Sequence, residues 1–497
     1  MNETLADLVA EAQATGTLQG LPDGLFIDGV FTPSASTERL PSYDPGTGRP
    51  FAEVPAGNAE DVDRAVHAAH TALLGAWRRT TPAERGRILQ RAAGLLREQA
   101  ARFAVVECLD SGKRLSEAES DVRVAARAFE YYAGAADKVQ GDSIPLGQDY
   151  VSWTVREPVG VAAQIIPWNY PLNTTARGVA PALAAGCTVV VKPAEQTPLS
   201  ALMLGELLAE AGLPAGVYNV VTGTGEGAGA PLVAHEKVGH VTFTGSVDTG
   251  VTVMQTAARN VTGVTLELGG KSPLVVLADA DVEAAVAGVR DAIFENAGQV
   301  CSAGSRLVVE RALHDRMLER VTEVARSLTW GHGLRNRDLG AINSPEQLAR
   351  ITGYVTGASH RGLGIACGGA GAVDPESGGG WFFQPTVIDG AAPGDPVVQE
   401  EIFGPVLAVQ VADDPESALA LANGTRFGLA AGIYTRDIER ALRLARDIDA
   451  GQVYINEYYA GGIETPFGGM RRSGFGREKG LEALHAYTRV KTVTARI

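Results

Sequence analysis

From residue 159 onward, short apolar runs of strand length alternate with segments of helix length. This alternation constrains the fold of the 497-residue chain more than any other feature. Residues 159–166 read as a buried strand, 181–186 as the close of a helix, 188–191 as another buried strand and 200–211 as a helix. Strands follow at 217–221 and 241–243. Such alternation predicts an α/β protein with a parallel sheet, the usual frame for a dinucleotide. A second α/β series runs from Leu274 to about Asn456.

The length exceeds what one hydrophobic core supports, so two or three domains are expected. With 45% hydrophobic and 20% charged residues, the chain reads as globular, neither disordered nor membrane-embedded. A net charge of −15 disfavours nucleic-acid backbones and anionic membranes as partners. Cys108, Cys187, Cys301 and Cys367 lack CxxC spacing, which suggests reduced thiols and argues against a disulfide framework or zinc site. The histidines show no metal spacing, and no metal is expected. The opening residues lack the basic and apolar regions of a signal peptide, and no apolar run approaches a membrane helix. A cytoplasmic location is expected.

Residues 1–25 form a polar, amphipathic lead, and 25–56 hold short strand-like pieces around Asp44-Pro45-Gly46-Thr47-Gly48. Residues 58–141 carry helical periodicity, with Thr81-Pro82-Ala83-Glu84 as a capped helix start. The tail, 487–497, alternates Val and Thr with basic residues. A terminal strand of this kind often joins a sheet edge on another subunit.

Two runs carry the chemistry. Gly298-Gln299-Val300-Cys301-Ser302-Ala303-Gly304 sets a cysteine among small residues, where a substrate or cofactor can approach closely. Leu266-Glu267-Leu268-Gly269-Gly270-Lys271 sets a carboxylate beside a glycine pair, between leucines that limit its solvation and raise its pKa. A thiol that attacks and a carboxylate that moves a proton make a minimal covalent-catalysis pair. Ile166-Pro167-Trp168-Asn169-Tyr170-Pro171 follows a strand and holds the Asn169 amide on a rigid turn, suited to an oxyanion with the Cys301 N–H as second donor.

Together these runs resemble the active-site signatures of the aldehyde dehydrogenase superfamily, of the hydrolytic, non-acylating type. The resemblance extends from about Leu25 to Ile497 and implies three parts. They are a Rossmann-like NAD-binding domain (1–137 and 158–266), an α/β catalytic domain (267–458) and a small β oligomerisation element. That element would comprise a hairpin at 138–157 and a tail strand within 475–497, the tail joining across subunits in a homodimer or homotetramer. Cys301 would be the nucleophile, Glu267 the base that activates water, Asn169 the oxyanion donor and Glu478 either a proton relay or a structural ion pair. NAD would contact Ile166, Pro167, Trp168, Lys192, Glu195, Gly225, Phe243, Gly245, Ser246, Leu268, Glu401 and Phe403. Glu195 favours NAD over NADP, since a carboxylate accepts from a ribose 2′-hydroxyl and repels a 2′-phosphate. Backbone N–H groups and the Ser246 hydroxyl at a helix start suit a pyrophosphate.

Tyr170, Arg177 and Phe467 are the expected substrate contacts. An arginine at 177, where many relatives have an aromatic, can grip a distal carboxylate and points to a semialdehyde. It could equally pair with a protein carboxylate, which leaves a general or aromatic aldehyde as the rival substrate. Two further rivals remain: a coenzyme A-acylating relative, which generally lacks the Glu267 base, and a non-catalytic cofactor-binding protein.

Overall fold

The computed structural model describes residues 4–497, so the first three residues of the amino-terminal lead and of the expected 1–137 segment lie outside it. The lead contains a helix, Leu5–Thr15, closed at its start by a reciprocal hydrogen-bonding box between Thr4 and Asp7. The helical region resolves into Ala59–Leu74, Ala76–Arg79, Pro82–Glu98, Ala100–Ser111 and Leu115–Ala135. At Thr81 the expected cap is present: its N–H donates to Glu84 Oε2 at 2.7 Å, and its hydroxyl accepts from the Glu84 N–H at 3.3 Å.

An eight-stranded sheet forms around five parallel strands. Their spatial order is Tyr218–Val220, Thr188–Lys192, Val161–Ile165, Val238–Thr244 and Gly263–Glu267. Val189, Val190 and Val191 are fully buried, so both sheet faces are covered, each side chain contributing about 1.5–3 kcal/mol. Val161–Ile165 is the first of the five in the chain and lies in the middle. The next two strands build to one side of it and the last two to the other. The order therefore reverses between Val161–Ile165 and Val238–Thr244, where ligands bind in open parallel sheets. Leu25–Ile27 and Gly474–Phe475 border the parallel core antiparallel, and Glu267 pairs with Gly474.

A seven-stranded sheet holds Pro273–Val276 and Arg306–Glu310 side by side, flanked by parallel Val406–Ala412 and Ala430–Tyr434. The third sheet, of three strands, pairs Thr488–Arg496 with Tyr150–Pro158, register Thr488↔Pro158 to Arg496↔Tyr150. Along one edge the tail strand pairs with the chain's own Tyr150–Pro158 strand over nine residues, and it forms the border of its sheet. The 475–497 segment is also more than a tail. Phe475 pairs with Leu266, and the helix Glu482–Ala486 precedes the last strand.

Candidate active site

Two cavities meet at Cys301. One, of about 440 Å³, is lined by Tyr170, Arg177, Tyr454, Tyr459, Phe467 and Lys479 among others. The second, about 170 Å³, is lined by Pro167, Trp168, Gly245, Ser246, Glu267, Glu401 and Phe403. Asn169, Thr244 and Cys301 line both. A third cavity of about 660 Å³ lies on the sheet beside Lys192, Glu195, Gly225 and Phe243. Segments far apart in sequence thus converge at the carboxyl ends of the central strands.

The chain reaches Cys301 through a strained turn. Asn296 and Ala297 have φ of 46° and 52°, sparsely populated by residues with a side chain and costing of order 1–3 kcal/mol each. Hydrogen bonds hold the turn: Asn169 Nδ2 donates to the Gln299 carbonyl at 2.9 Å, and Asn296 Nδ2 donates to the Asn169 carbonyl at 3.1 Å. Gln299 reaches Ala341 and Asn343. Gly298, at φ 72°, is pressed so closely on the Gly404 carbonyl that a Cβ would collide with it. One Asn169 amide hydrogen is thereby fixed on Gln299 and the amide plane is set, with the second hydrogen left over. The Cys301 thiol is half-buried, and burial pushes its pKa up to about 12, with Glu401 and Glu267 raising it further and Arg177 opposing. At rest the thiol is protonated and needs a base.

Glu267 ends its strand with 2% exposure, and neither carboxylate oxygen has a hydrogen-bond partner among the described residues. Burial first, then the neighbouring Glu478, holds its pKa well above the usual carboxylate range. Leu266 and Leu268 lie in the core beside it, as the sequence pattern implies. Glu478 is buried and forms an ion pair with Arg177, whose guanidinium also stands 5.3 Å from the Phe467 ring centre. Arg177 thus sits on the cavity wall and pairs with a protein carboxylate at once. The pair arises because Pro171–Ala185 starts directly after Tyr170, while an antiparallel bridge between Phe467 and Glu478 brings the late segment against that helix.

On the other side, Glu401 Oε1 accepts from the Gly270 N–H at 3.1 Å, and burial lifts its pKa to about 7. Phe403 meets Trp168 edge-on, ring centres 5.2 Å apart. Ser246 caps the helix Val247–Ala258, directing free N–H groups toward this cavity. Lys192 Nζ and Glu195 Oε2 form an ion pair at 3.0 Å on the rim of the third cavity. Two expected cofactor contacts do not line these clefts. Ile166 turns into the core and its neighbour Ile165 faces the third cavity, because adjacent strand residues point to opposite faces. The Leu268 side chain packs against Gly250 in the core.

Several lining residues were not foreseen. Gln347 Nε2 donates to the carbonyls of Ile402 and Phe403 at 3.0 and 2.8 Å, and Arg350 Nη2 donates to the Glu401 carbonyl at 2.9 Å. Both sit one turn apart on the helix Pro345–His360, whose Ser344-Pro345 start was the available signal. Thr252 and Lys479 carry no motif that marks them. Asp63, His67 and His235 also converge, although their spacing suggests no metal site. Their ring nitrogens are already engaged by Asp63 and Lys237.

A sequence profile described as the aldehyde dehydrogenase family matches residues 31–493. The chain belongs to the aldehyde dehydrogenase family. It is 42% identical over 478 residues to an aldehyde dehydrogenase of Aspergillus niger, covering 96% of this chain and 95% of that one. Among solved structures, an NAD⁺ complex of aldehyde dehydrogenase from Bacillus cereus superimposes with a TM-score of 0.94 at 40% identity, covering 96% of each chain. An indole-3-acetaldehyde dehydrogenase bound to NAD⁺ superimposes with a TM-score of 0.96 at 39% identity, covering 99% of this chain and 100% of that one. The fold is accordingly that of an aldehyde dehydrogenase, and the chain belongs to an oxidoreductase family whose solved neighbours include NAD⁺ complexes. Its own donor set fits that cofactor. A capped helix start at Ser246 suits the phosphates, and the Glu195 oxygen not held by Lys192 suits a ribose hydroxyl.

Proposed function

We propose that this aldehyde dehydrogenase oxidises a carboxylate-bearing semialdehyde to the dicarboxylate through a thioester on Cys301. Glu267 takes the thiol proton and the sulfur attacks the aldehyde carbon. The second Asn169 amide hydrogen and the Cys301 N–H, which has no acceptor among the described residues, receive the oxyanion. NAD, when bound, supplies the acceptor for the hydride that leaves, and a thioester remains on sulfur. Once the thiol proton has passed from Glu267 toward Glu478, Glu267 draws a proton from water, which attacks the thioester and releases the acid while the Cys301 thiolate leaves. Glu478, balanced by Arg177, acts as a proton relay behind Glu267. The cofactor is held by Pro167, Trp168, Lys192, Glu195, Gly225, Phe243, Gly245, Ser246, Glu401 and Phe403.

One observation carries the substrate class. The cavity wall at Phe467 bears two cations, Arg177 and Lys479, 5.3 and 5.5 Å from the same ring centre, and Glu478 answers one of them. A distal substrate carboxylate would answer the other. Of the other acids lining the cavity, Glu117 pairs with Arg114 at 3.0 Å and Asp121 with Lys113, and Glu295 lines it as well. A neutral aromatic aldehyde is the second reading, favoured by Tyr170, Tyr454, Tyr459 and Phe467 around the same space. Initial rates of NAD reduction with succinic semialdehyde, benzaldehyde and hexanal separate the two. A lead for the semialdehyde supports the first reading, and a lead for benzaldehyde replaces it.

A cytoplasmic homodimer or homotetramer completes the proposal. Four free cysteines and a net charge of −15 support that location. Among the described residues no helix is long and apolar enough to cross a membrane. Tyr150, Val151, Trp153 and Val490 leave apolar surface on the three-stranded sheet, which supports burial against a second copy.

A further inference from the structure

We infer that Lys479, and not Arg177, receives the distal carboxylate of the substrate. The inference rests on the semialdehyde reading and deepens it. Arg177 is committed: its side chain is 13% exposed and its charge is spent on the buried Glu478. Lys479 is half-buried on the wall of the Cys301 cavity, and its ammonium makes no hydrogen bond or ion pair among the described residues. The ammonium stands 5.5 Å from the Phe467 ring centre. An ammonium taken partly out of water without an anion is costly, and a bound carboxylate removes that cost.

The backbone holds the group there. Lys479 has φ of 61°, a left-handed conformation unusual for a residue with a side chain. Its neighbours are pinned on both sides: Glu478 exchanges hydrogen bonds with Phe467 at 2.8 and 2.7 Å, and Gly480 N–H donates to the Ile463 carbonyl at 2.6 Å. The strained residue is thus carried on a strap crossing the cavity wall, and strain retained at a wall points to use of the side chain. Burial and the nearby Arg177 lower the ammonium to about 8, while Glu478, Cys301 and Glu464 act in the other direction. The group therefore carries its charge below that pH and loses it above.

The test compares kcat/KM for succinic semialdehyde and butanal, aldehydes of equal length with and without the carboxylate. It uses wild type, Lys479→Met, Lys479→Arg and Arg177→Met. Lys479→Met is expected to lower the semialdehyde value about 10- to 100-fold more than the butanal value, chiefly through KM, with NAD affinity unchanged. Lys479→Arg should retain the preference, and the wild-type preference should fall as pH rises through about 8. If Lys479→Met lowers both aldehydes alike, or if Arg177→Met alone erases the preference, the inference is overturned while the semialdehyde reading stands. If wild type itself shows no preference for the carboxylate, the semialdehyde reading fails and takes the inference with it.

Discussion

On the cofactor side of Cys301 the walls come from strand ends and a helix start, whereas on the substrate side they come from side chains of opposite charge. The cofactor side follows from topology. Ile165, Phe243 and Glu267 end or nearly end parallel strands, and Ser246 begins the helix that follows. The substrate side brings one face of Pro171–Ala185 against a late strap, and Arg177, Glu478 and Lys479 meet there with Phe467. Geometry set by a sheet tolerates changes of side chain. Geometry set by buried charge does not, because removing one partner leaves the other uncompensated. Cys301, Asn169 and Thr244 belong to both sides, so substitutions there test whether the two can be separated.

The largest effect is expected at the junction. Cys301→Ala should lower turnover by about 10⁴-fold or more, since the remaining groups act on a bond that is never formed. NAD binding, followed by calorimetry, should persist because the cofactor walls are untouched. Loss of NAD affinity in parallel would break the separation of the two sides.

Glu267→Gln comes next, with a loss of about 10²–10⁴-fold in kcat. Burial, then Glu478, raises the pKa of its carboxyl, and only the ionised form can take a proton. Activity should therefore rise with pH as Glu267 ionises, and that acid limb should vanish in the variant. A stopped-flow burst of NADH that survives in Glu267→Gln would confine the group to thioester hydrolysis. A limb unchanged by the substitution would assign the titration elsewhere.

These positions were legible before any coordinates because each sits in a local signal. Cys301 lies among glycines, Glu267 between leucines, and Asn169 and Lys192 directly after apolar strands. The parallel sheet also follows from the alternation of apolar runs with helical segments. Other features depend on pairing between distant segments, which local periodicity does not report. Phe475 joins the first sheet through Leu266, and the tail finds Tyr150–Pro158 within its own chain. Ile166 and Leu268 show a finer limit: alternation just past a strand end decides which neighbour's side chain faces the cleft. Lys479 was invisible because a lysine on a strap has no pattern until Phe467 and Arg177 surround it.

A moderate effect is expected at Glu195, which sharpens the account of the cofactor side. Its carboxylate has one oxygen on Lys192 and one left for a ribose hydroxyl. Glu195→Gln should lower kcat/KM for NAD about tenfold and narrow the gap to NADP, through the lost charge-assisted hydrogen bond and the lost repulsion of a 2′-phosphate. Aldehyde KM values should not move. A change in aldehyde preference would mean that the two sides communicate through more than the three shared residues.

The smallest effect concerns Gln347, whose amide holds the carbonyls of Ile402 and Phe403 from the next turn of chain. Phe403 itself has φ of 60°, so the segment needs those bonds to keep its ring against Trp168. Gln347→Ala removes two hydrogen bonds to carbonyls, each worth about 0.5–1.5 kcal/mol, partly replaced by water at this rim. A threefold to tenfold rise in KM for NAD is therefore expected, roughly the factor that about 1 kcal/mol produces. kcat should stay near wild type, because Arg350 still anchors the Glu401 carbonyl. If Gln347→Ala instead lowers kcat and leaves KM alone, the segment positions the reacting ring and does more than bind it. The cofactor side would then depend on side-chain tethering as strongly as the substrate side does.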